Sequence, residues 1–593
     1  MGRAASDCSA GSLLGGGCGR HAGPDGAPAA PTLGRRQFLG GAAVAGALLA
    51  ALPHASKGLG GGAGSALAPT VARASEASAE PVKGGTLYRE ITNPVAIDPF
   101  NVSENQGTAV TNLLFDALTM YDYQAGELTG LAAESWEGNA DATQFTFHLR
   151  PGMTFHNGDP VVAQDFVRAW NRLCSPTTNP SSPSTVSSNI SMVAGYEDAV
   201  KGDGELDLAC PDDLTLVVNL SQPFADFPYV ASMQCLSPVP AVAMDDFDAF
   251  FRAPIGNGPF QMDGAWVDSQ YINLKRFDGY WGEKPLIDGV NFVIFKDVSA
   301  AYMEYQGGTI DITNIPSGQY DQLVSSVGEA PDGYTANPGA QCILGETVAT
   351  YYLVLNCADD TLSDVRVRRA VSYAINRQSI CDTVWMGTRR PAQGFVPPVV
   401  HGQEQCLWDE CAYDPDKAAE LLDEAGHKAG VDGMRGISLK LSFNAGGGHE
   451  DVMQMIQSDL RAVGIEAQLD GMEWAAYLDQ MGAGSIQAGR MTWGGSYPTL
   501  DAYFYPVFYS TSESNYSQYR NEDVDAQIDA ARQIVDDAKR VDAYAQADAL
   551  IAADMPVVPI AYFCLSYVAS ARAHDLYIAP DDTSKLTKVW LEA

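Results

Sequence analysis

Basic residues are scarce in this chain. Lys and Arg number 36 against 73 Asp and Glu in 593 residues, for a formal net charge of −37. Beyond residue 74 the balance is 30 basic to 71 acidic side chains, because the first 74 positions hold six basic and two acidic residues. A body this acidic is repelled by nucleic acid phosphates and anionic lipid headgroups, so nucleic acid is not an expected partner. Long apolar runs are also missing. The run at residues 41–52, GAAVAGALLAAL, falls short of the ~20 residues that cross a bilayer. The eight histidines are scattered and no C-x-x-C occurs, so no metal site is expected. G-x-S-x-G, H-E-x-x-H and a phosphate loop are all absent. Gly256-Asn257-Gly258 does not continue into a dinucleotide fingerprint. The chain therefore reads as a non-enzyme with no catalytic residue and no cofactor.

What is present begins with a leader. Gly34-Arg35-Arg36-Gln37-Phe38-Leu39-Gly40 ahead of that apolar run reads as a secretion signal of the twin-arginine type. No cysteine follows it to carry a lipid anchor. Residues 56–82 are rich in Gly, Ala and Ser and read as a flexible spacer, and Ala72-Arg73-Ala74 fits a small-residue cleavage site. An exported protein is expected, in the periplasmic space or at the outer face of the cytoplasmic membrane. Cys8 and Cys18 lie in the leader and nine cysteines follow. In an oxidising compartment some should pair, with Cys406–Cys411 and Cys342–Cys357 as local candidates.

With 46% hydrophobic residues the chain can bury sizeable cores, and its length implies several domains. Gln144 to Arg150 alternates apolar and polar as a strand with one buried face, turned by Pro151-Gly152, with Met153-Thr154-Phe155 as its returning partner. A helix is expected at residues 163–170. Ser363 should cap another that carries Val367, Val371, Ala374 and Ile375 on one stripe. Asp414-Pro415 opens a helix that stops at Gly426, and residues 449–463 form one closed by Gly464, followed by the strand at 465–469. His449, Glu450 and Asp451 read as the polar first turn of that helix. Residues 524–554 are expected to be helical, with a strand returning at 557–563. Helix–strand alternation of this kind argues for α/β lobes.

Residues 486–509, IQAGRMTWGGSYPTLDAYFYPVFY, place Arg490, Trp493, Gly494 and Gly495 beside an aromatic-rich run. Glycines next to an indole let backbone approach closely, and exposed N–H and C=O groups beside a flat apolar wall suit a small ligand with polar ends.

Several blocks resemble one family. They are Glu134-Ser135-Trp136-Glu137 with FTFHLRPGMTFHNGDPVVAQDFVRAWNRL, Gly256-Asn257-Gly258 with Tyr280-Trp281, Gly308-Thr309-Ile310-Asp311, and Asp364 to Ala370 with Ala374-Ile375-Asn376-Arg377. Together they are similar to the ABC-transporter solute-binding proteins of the oligopeptide/dipeptide branch, family 5, over nearly everything from residue 83 onward. The resemblance implies an α/β, two-lobed periplasmic-binding-protein-like fold (type II, cluster C) with an extra domain on lobe one. Lobe one would gather residues 83–114, 254–347 and 563–593, the extra domain 115–253, and lobe two 348–562. It also implies a monomer that captures a peptide or peptide-like solute and hands it to an ABC permease and its ATPases. A non-peptide solute receptor, or a sensor or chaperone on the same scaffold, are the alternatives. A secreted hydrolase lacks any nucleophile–base pairing.

The resemblance further implies a ligand site. Trp474, Arg490 and Trp493 match its pocket residues, with Arg490 a fork for a carboxylate and the indoles as walls. Gly494 and Gly495 would bond an extended ligand as an added strand. Glu104 matches a cleft-facing acid of lobe one, and Tyr351 and Tyr352 sit at the crossing strand, Tyr352 being the one assigned to the site. Ser496, ahead of Tyr497, stands where peptide-binding relatives often carry an Asp for the ligand's ammonium, so either Glu104 or Asp501 is expected to hold that amine or the ligand is not an ordinary peptide.

Overall fold

The computed structural model describes residues 80–592. The twin-arginine motif, the apolar run, the cleavage site, nearly all of the spacer and Cys8 and Cys18 lie outside the described residues. Three sheets organise the rest. The first runs Cys342–Ile343, Tyr567–Ala569, Ile312–Asn314, Thr86–Ile91, Gly289–Ile294, Tyr271–Arg276, Phe260–Met262. Thr86–Ile91 and Gly289–Ile294 are parallel and in register from Thr86↔Gly289 to Ile91↔Ile294. The second runs Arg389–Pro391, Val557–Cys564, Glu346–Leu355, Ala488–Gly494, Ile437–Asn444, Ile465–Met472. The third, antiparallel, runs Ala133–Gly138, Gln144–Leu149, Thr215–Asn219, Leu208–Asp212. One apolar core is shared by the first and third sheets, joining Leu87 and Phe292 to Phe147 and Trp170. A separate core fills the second. Two crossings link the first and second sheets, from Ile343 to Glu346 and from Cys564 to Tyr567, and they touch where Leu565 N–H donates to Gly345 O at 2.8 Å.

Local chemistry explains most elements and several departures. Gln144–Leu149 buries Phe145, Phe147 and Leu149 on one face as its alternation requires. Its partners, however, are Ala133–Gly138 and Thr215–Asn219, while Met153 and Phe155 are buried in a loop whose only ladder contact is the bridge Thr154↔Pro160. The helix Val365–Ala374 is capped by Asp364, not Ser363. The Asp364 carboxylate accepts from Arg366 N–H at 2.9 Å, and Asn376 caps a second helix, Arg377–Thr383. The expected helix at 524–554 is two, Glu522–Arg532 and Asp537–Asp554, because Asn521 and Asp536 each supply a start signal. Pro415–Glu424 and Glu450–Ala462 form as expected, with Gly426 and Gly464 just beyond them at positive φ.

The disulfide expectation is not met, since all nine cysteines of the described residues are free thiols. Cys342 lies in the first sheet whereas Cys357 follows a strand of the second, so that pair is split between cores. Cys406 is buried with its thiol toward Gly402 O, apart from Cys411. Among the described residues no helix is long and apolar enough to cross a membrane.

Candidate ligand site

The strand Ala488–Gly494 pairs antiparallel with Glu346–Leu355, setting Arg490 opposite Leu353, Met491 opposite Tyr352 and Thr492 opposite Tyr351. Strand alternation puts Arg490, Thr492 and Tyr351 on one face and Met491 and Tyr352 on the other. Tyr352 is therefore a core residue, edge-on to Phe395 at 5.1 Å, and Tyr351 is the tyrosine that meets Arg490. This corrects the expectation for Tyr352.

Arg490 is only 8% exposed. Its Nε donates to Asn444 Oδ1 at 2.9 Å, Nη2 bonds the same oxygen, and Nη2 also meets His449 Nε2 at 2.6 Å. The guanidinium lies over the rings of Tyr351 (5.6 Å) and Trp474 (5.9 Å). Among the described residues no carboxylate pairs with it. Burial accordingly lowers its pKa, and burial, reinforced by the Arg490 charge, pulls His449 down to about 4. His449 is thus neutral at physiological pH, accepting through Nε2 with its proton on Nδ1, near Tyr351 Oη at 3.5 Å. A buried guanidinium held by neutral acceptors carries an uncompensated charge that an anion would satisfy. Trp474, first residue of the helix Trp474–Gly482, stacks on Tyr477, and half-buried Trp493 is pinned through Nε1 to Ala502 O at 2.8 Å.

The backbone beside this cluster is also free on one edge. Ile437–Asn444 pairs with the arginine strand only at Ala488 and Gly489. Residues 491–494 leave that neighbour, so their outer N–H and C=O groups face no strand, as strand addition requires. The two glycines differ. A Cβ on Gly494 would meet nothing closer than 3.8 Å, but on Gly495 it would stand 2.7 Å from the Tyr503 ring. Gly495 is glycine for packing, and Gly494 is the open position.

Just past this strand opens a cavity of about 660 Å³, walled by Gly495, Ser496, Tyr497 and Val348 from the second-sheet side and by residues near the first and third sheets opposite. Neither acid expected to hold an amine is available to it. Glu104 caps the helix Asn105–Leu114, accepting from Gly107 N–H and Val95 N–H. Asp501 is 1% exposed, accepting from Tyr497 Oη (2.9 Å) and Tyr544 Oη (2.6 Å) and pairing with Arg532 at 3.2 Å. The structure thus brings Arg490 to Trp474, and Gly495, Ser496 and Tyr497 to the cavity, while Glu104 and Asp501 serve the fold.

The pattern described as bacterial extracellular solute-binding proteins, family 5 Middle, matches residues 127–515. The chain belongs to this family. Among its relatives, the probable deoxycholate-binding periplasmic protein YgiS of Escherichia coli is 29% identical over 487 residues, covering 80% of this chain and 87% of that one. The periplasmic oligopeptide-binding protein OppA of Escherichia coli is 28% identical over 496 residues, covering 81% and 87%. The crystal structure of Haemophilus influenzae OppA in complex with RPPGFSPFR superposes with a TM-score of 0.63 at 25% identity, covering 86% of this chain and 99% of that one. This solute-binding protein has the two-lobed α/β fold of those relatives. Sequence reasoning missed the two partners of Arg490, Asn444 and His449. His449 was visible only as a helix-start residue, and nothing local marked Asn444.

Proposed function

We propose that this protein captures a peptide or peptide-like solute between its lobes outside the cytoplasm and delivers it to an ABC permease and its ATPases. The observation that carries this is Arg490, a buried cation without a carboxylate, beside an unpaired strand edge and two aromatic rings. A ligand carboxylate would pair with the Arg490 guanidinium, and the ligand's main chain would continue the sheet. No bond is made or broken. Closure around the ligand reports occupancy because the ligand favours the closed state. The protein acts as an exported monomer, and the Arg35-Arg36 leader is the proposed route of export. Mass spectrometry of the small molecules released by mild denaturation of the protein isolated from its own host tests this. A mixture of short peptides is expected, and a single non-peptide compound would overturn the peptide reading.

Ser496 in place of an acid favours a second reading, an amphipathic carboxylate with no amine. The same measurement would show it directly.

A further inference from the structure

Five charged side chains line the cavity: Asp122, Asp575, Asp581, Lys585 and Lys588. Three are used by the fold. Asp122 Oδ1 accepts from the N–H groups of Gln124 and Ala125, closing a turn. Asp575 is exposed and accepts from Trp590 Nε1 at 3.2 Å. Lys585 Nζ donates to Asn112 O, Phe115 O and Asp116 Oδ1, at 2.6, 2.8 and 2.8 Å. Asp116 is itself fixed by Tyr280 Oη and Trp281 Nε1, so Lys585 cannot turn to the cavity without breaking a buried network. Lys588 is exposed to bulk water at the rim.

Asp581 differs. Its Oδ1 accepts from Thr583 N–H at 3.1 Å and Thr583 Oγ1 at 2.7 Å, which aims the carboxylate. Among the described residues nothing donates to Oδ2 and no cation pairs with the group. Burial raises its pKa, with no offsetting positive charge among the causes. Its negative charge also helps push up the hydroxyls of Tyr123 and Tyr577, both of which line the cavity. A carboxylate with one free oxygen beside tyrosine rings, opening on a cavity of about 660 Å³, has the makings of a receptor for a positive group.

We propose that Asp581, flanked by Tyr123 and Tyr577, receives a cationic group of the ligand, so that the amine is held from the lobe-one wall rather than from position 496. This rests on the solute-capture reading and names the ligand class, a cation of primary-amine or guanidinium type. On this reading no acid is needed at position 496. A second acid across the same cavity would repel Asp581 whenever no ligand was bound.

Calorimetry with the whole exported protein and three probes, trialanine, N-acetyl-trialanine and spermidine, tests the assignment. The wild type should bind a free-amine probe at least tenfold more tightly than the acetylated one. Asp581→Asn should remove that preference while the melting temperature holds. Tyr577→Phe should keep it, because the ring remains. If spermidine alone binds and Asp581→Asn abolishes it, the cation site stands and the peptide reading falls. If trialanine and its acetylated form bind equally, or Asp581→Asn leaves the preference intact, the assignment of Asp581 is overturned while peptide capture survives. If no free-amine probe outbinds the acetylated one, the cation site is wrong.

Discussion

Individual side chains in this protein divide by whether their charge is already spent. Arg490 has only neutral acceptors, so Arg490→Ala should leave the fold intact and weaken binding of a free carboxylate. The loss expected is roughly 10- to 100-fold, the worth of a charge-assisted pair. Calorimetry with trialanine and its C-terminal amide checks this, and equal losses for both would remove Arg490 from carboxylate recognition. Asp548 has the opposite problem. It is buried, accepts among the described residues only from Trp408 Nε1, and its pKa is pushed up to about 7 by burial. A carboxyl whose folded pKa lies above its unfolded value contributes stability that is full in acid and is lost as pH rises toward 7. Asp548→Asn should therefore raise the melting temperature at pH 8, by up to about 4 kcal/mol of stability, and change far less at pH 4, close to the unfolded pKa. An equal shift at both pH values would mean the charge is compensated in the fold.

Elements were legible where periodicity and caps agreed, and the failures have local causes. The helices at Pro415–Glu424 and Glu450–Ala462 followed from Asp-Pro and Gly signals that no tertiary contact overrides. The break between Arg532 and Asp537 was missed because apolar spacing continues across it while Asp536 restarts the chain. The tyrosine facing was undecidable in sequence, since adjacent strand residues point opposite ways and only the register with Met491 and Thr492 settles which meets Arg490. Asp581 was invisible because Thr583 and Tyr577 nearby mark only a local turn, and Tyr123, which lines the same cavity, lies more than 400 residues earlier. Gly256-Asn257-Gly258 shows the converse, a motif visible in sequence whose reason is structural. A Cβ on Gly256 would stand 1.9 Å from Leu114 O, Asn257 closes both backbone groups of Asp116, and His156 clamps the flanking glycines through both ring nitrogens. Gly256→Ala should cost about 2 kcal/mol or more, read as a lower urea midpoint. An unchanged midpoint would mean that backbone can shift freely.

At the scale of the whole molecule, the lobes are joined by more than the two crossings near Gly345 and Leu565. The segment following the third sheet reaches the second-sheet side. Ala225 N–H donates to Arg532 O at 2.7 Å, and Asp226 pairs with Arg540 at 2.7 Å and accepts from Thr499 Oγ1 at 3.0 Å. Asp226 is 1% exposed, and burial pushes its pKa up to about 6 despite Arg540, so the pair is bought at a desolvation cost. Arg532 also holds Asp501, whose other oxygen holds Tyr497 on the cavity wall, so this contact is wired to the ligand space. A contact formed only when the lobes approach adds its free energy to the closed state and hence to ligand affinity. Asp226→Ala leaves Arg540 its bond to Asp537, so global unfolding should change little. The unliganded variant should instead show a larger radius of gyration by small-angle scattering and bind its peptide about tenfold more weakly, the equivalent of 1.4 kcal/mol. Wild-type dimensions and affinity in that variant would make the contact a passive one, leaving closure to the ligand alone.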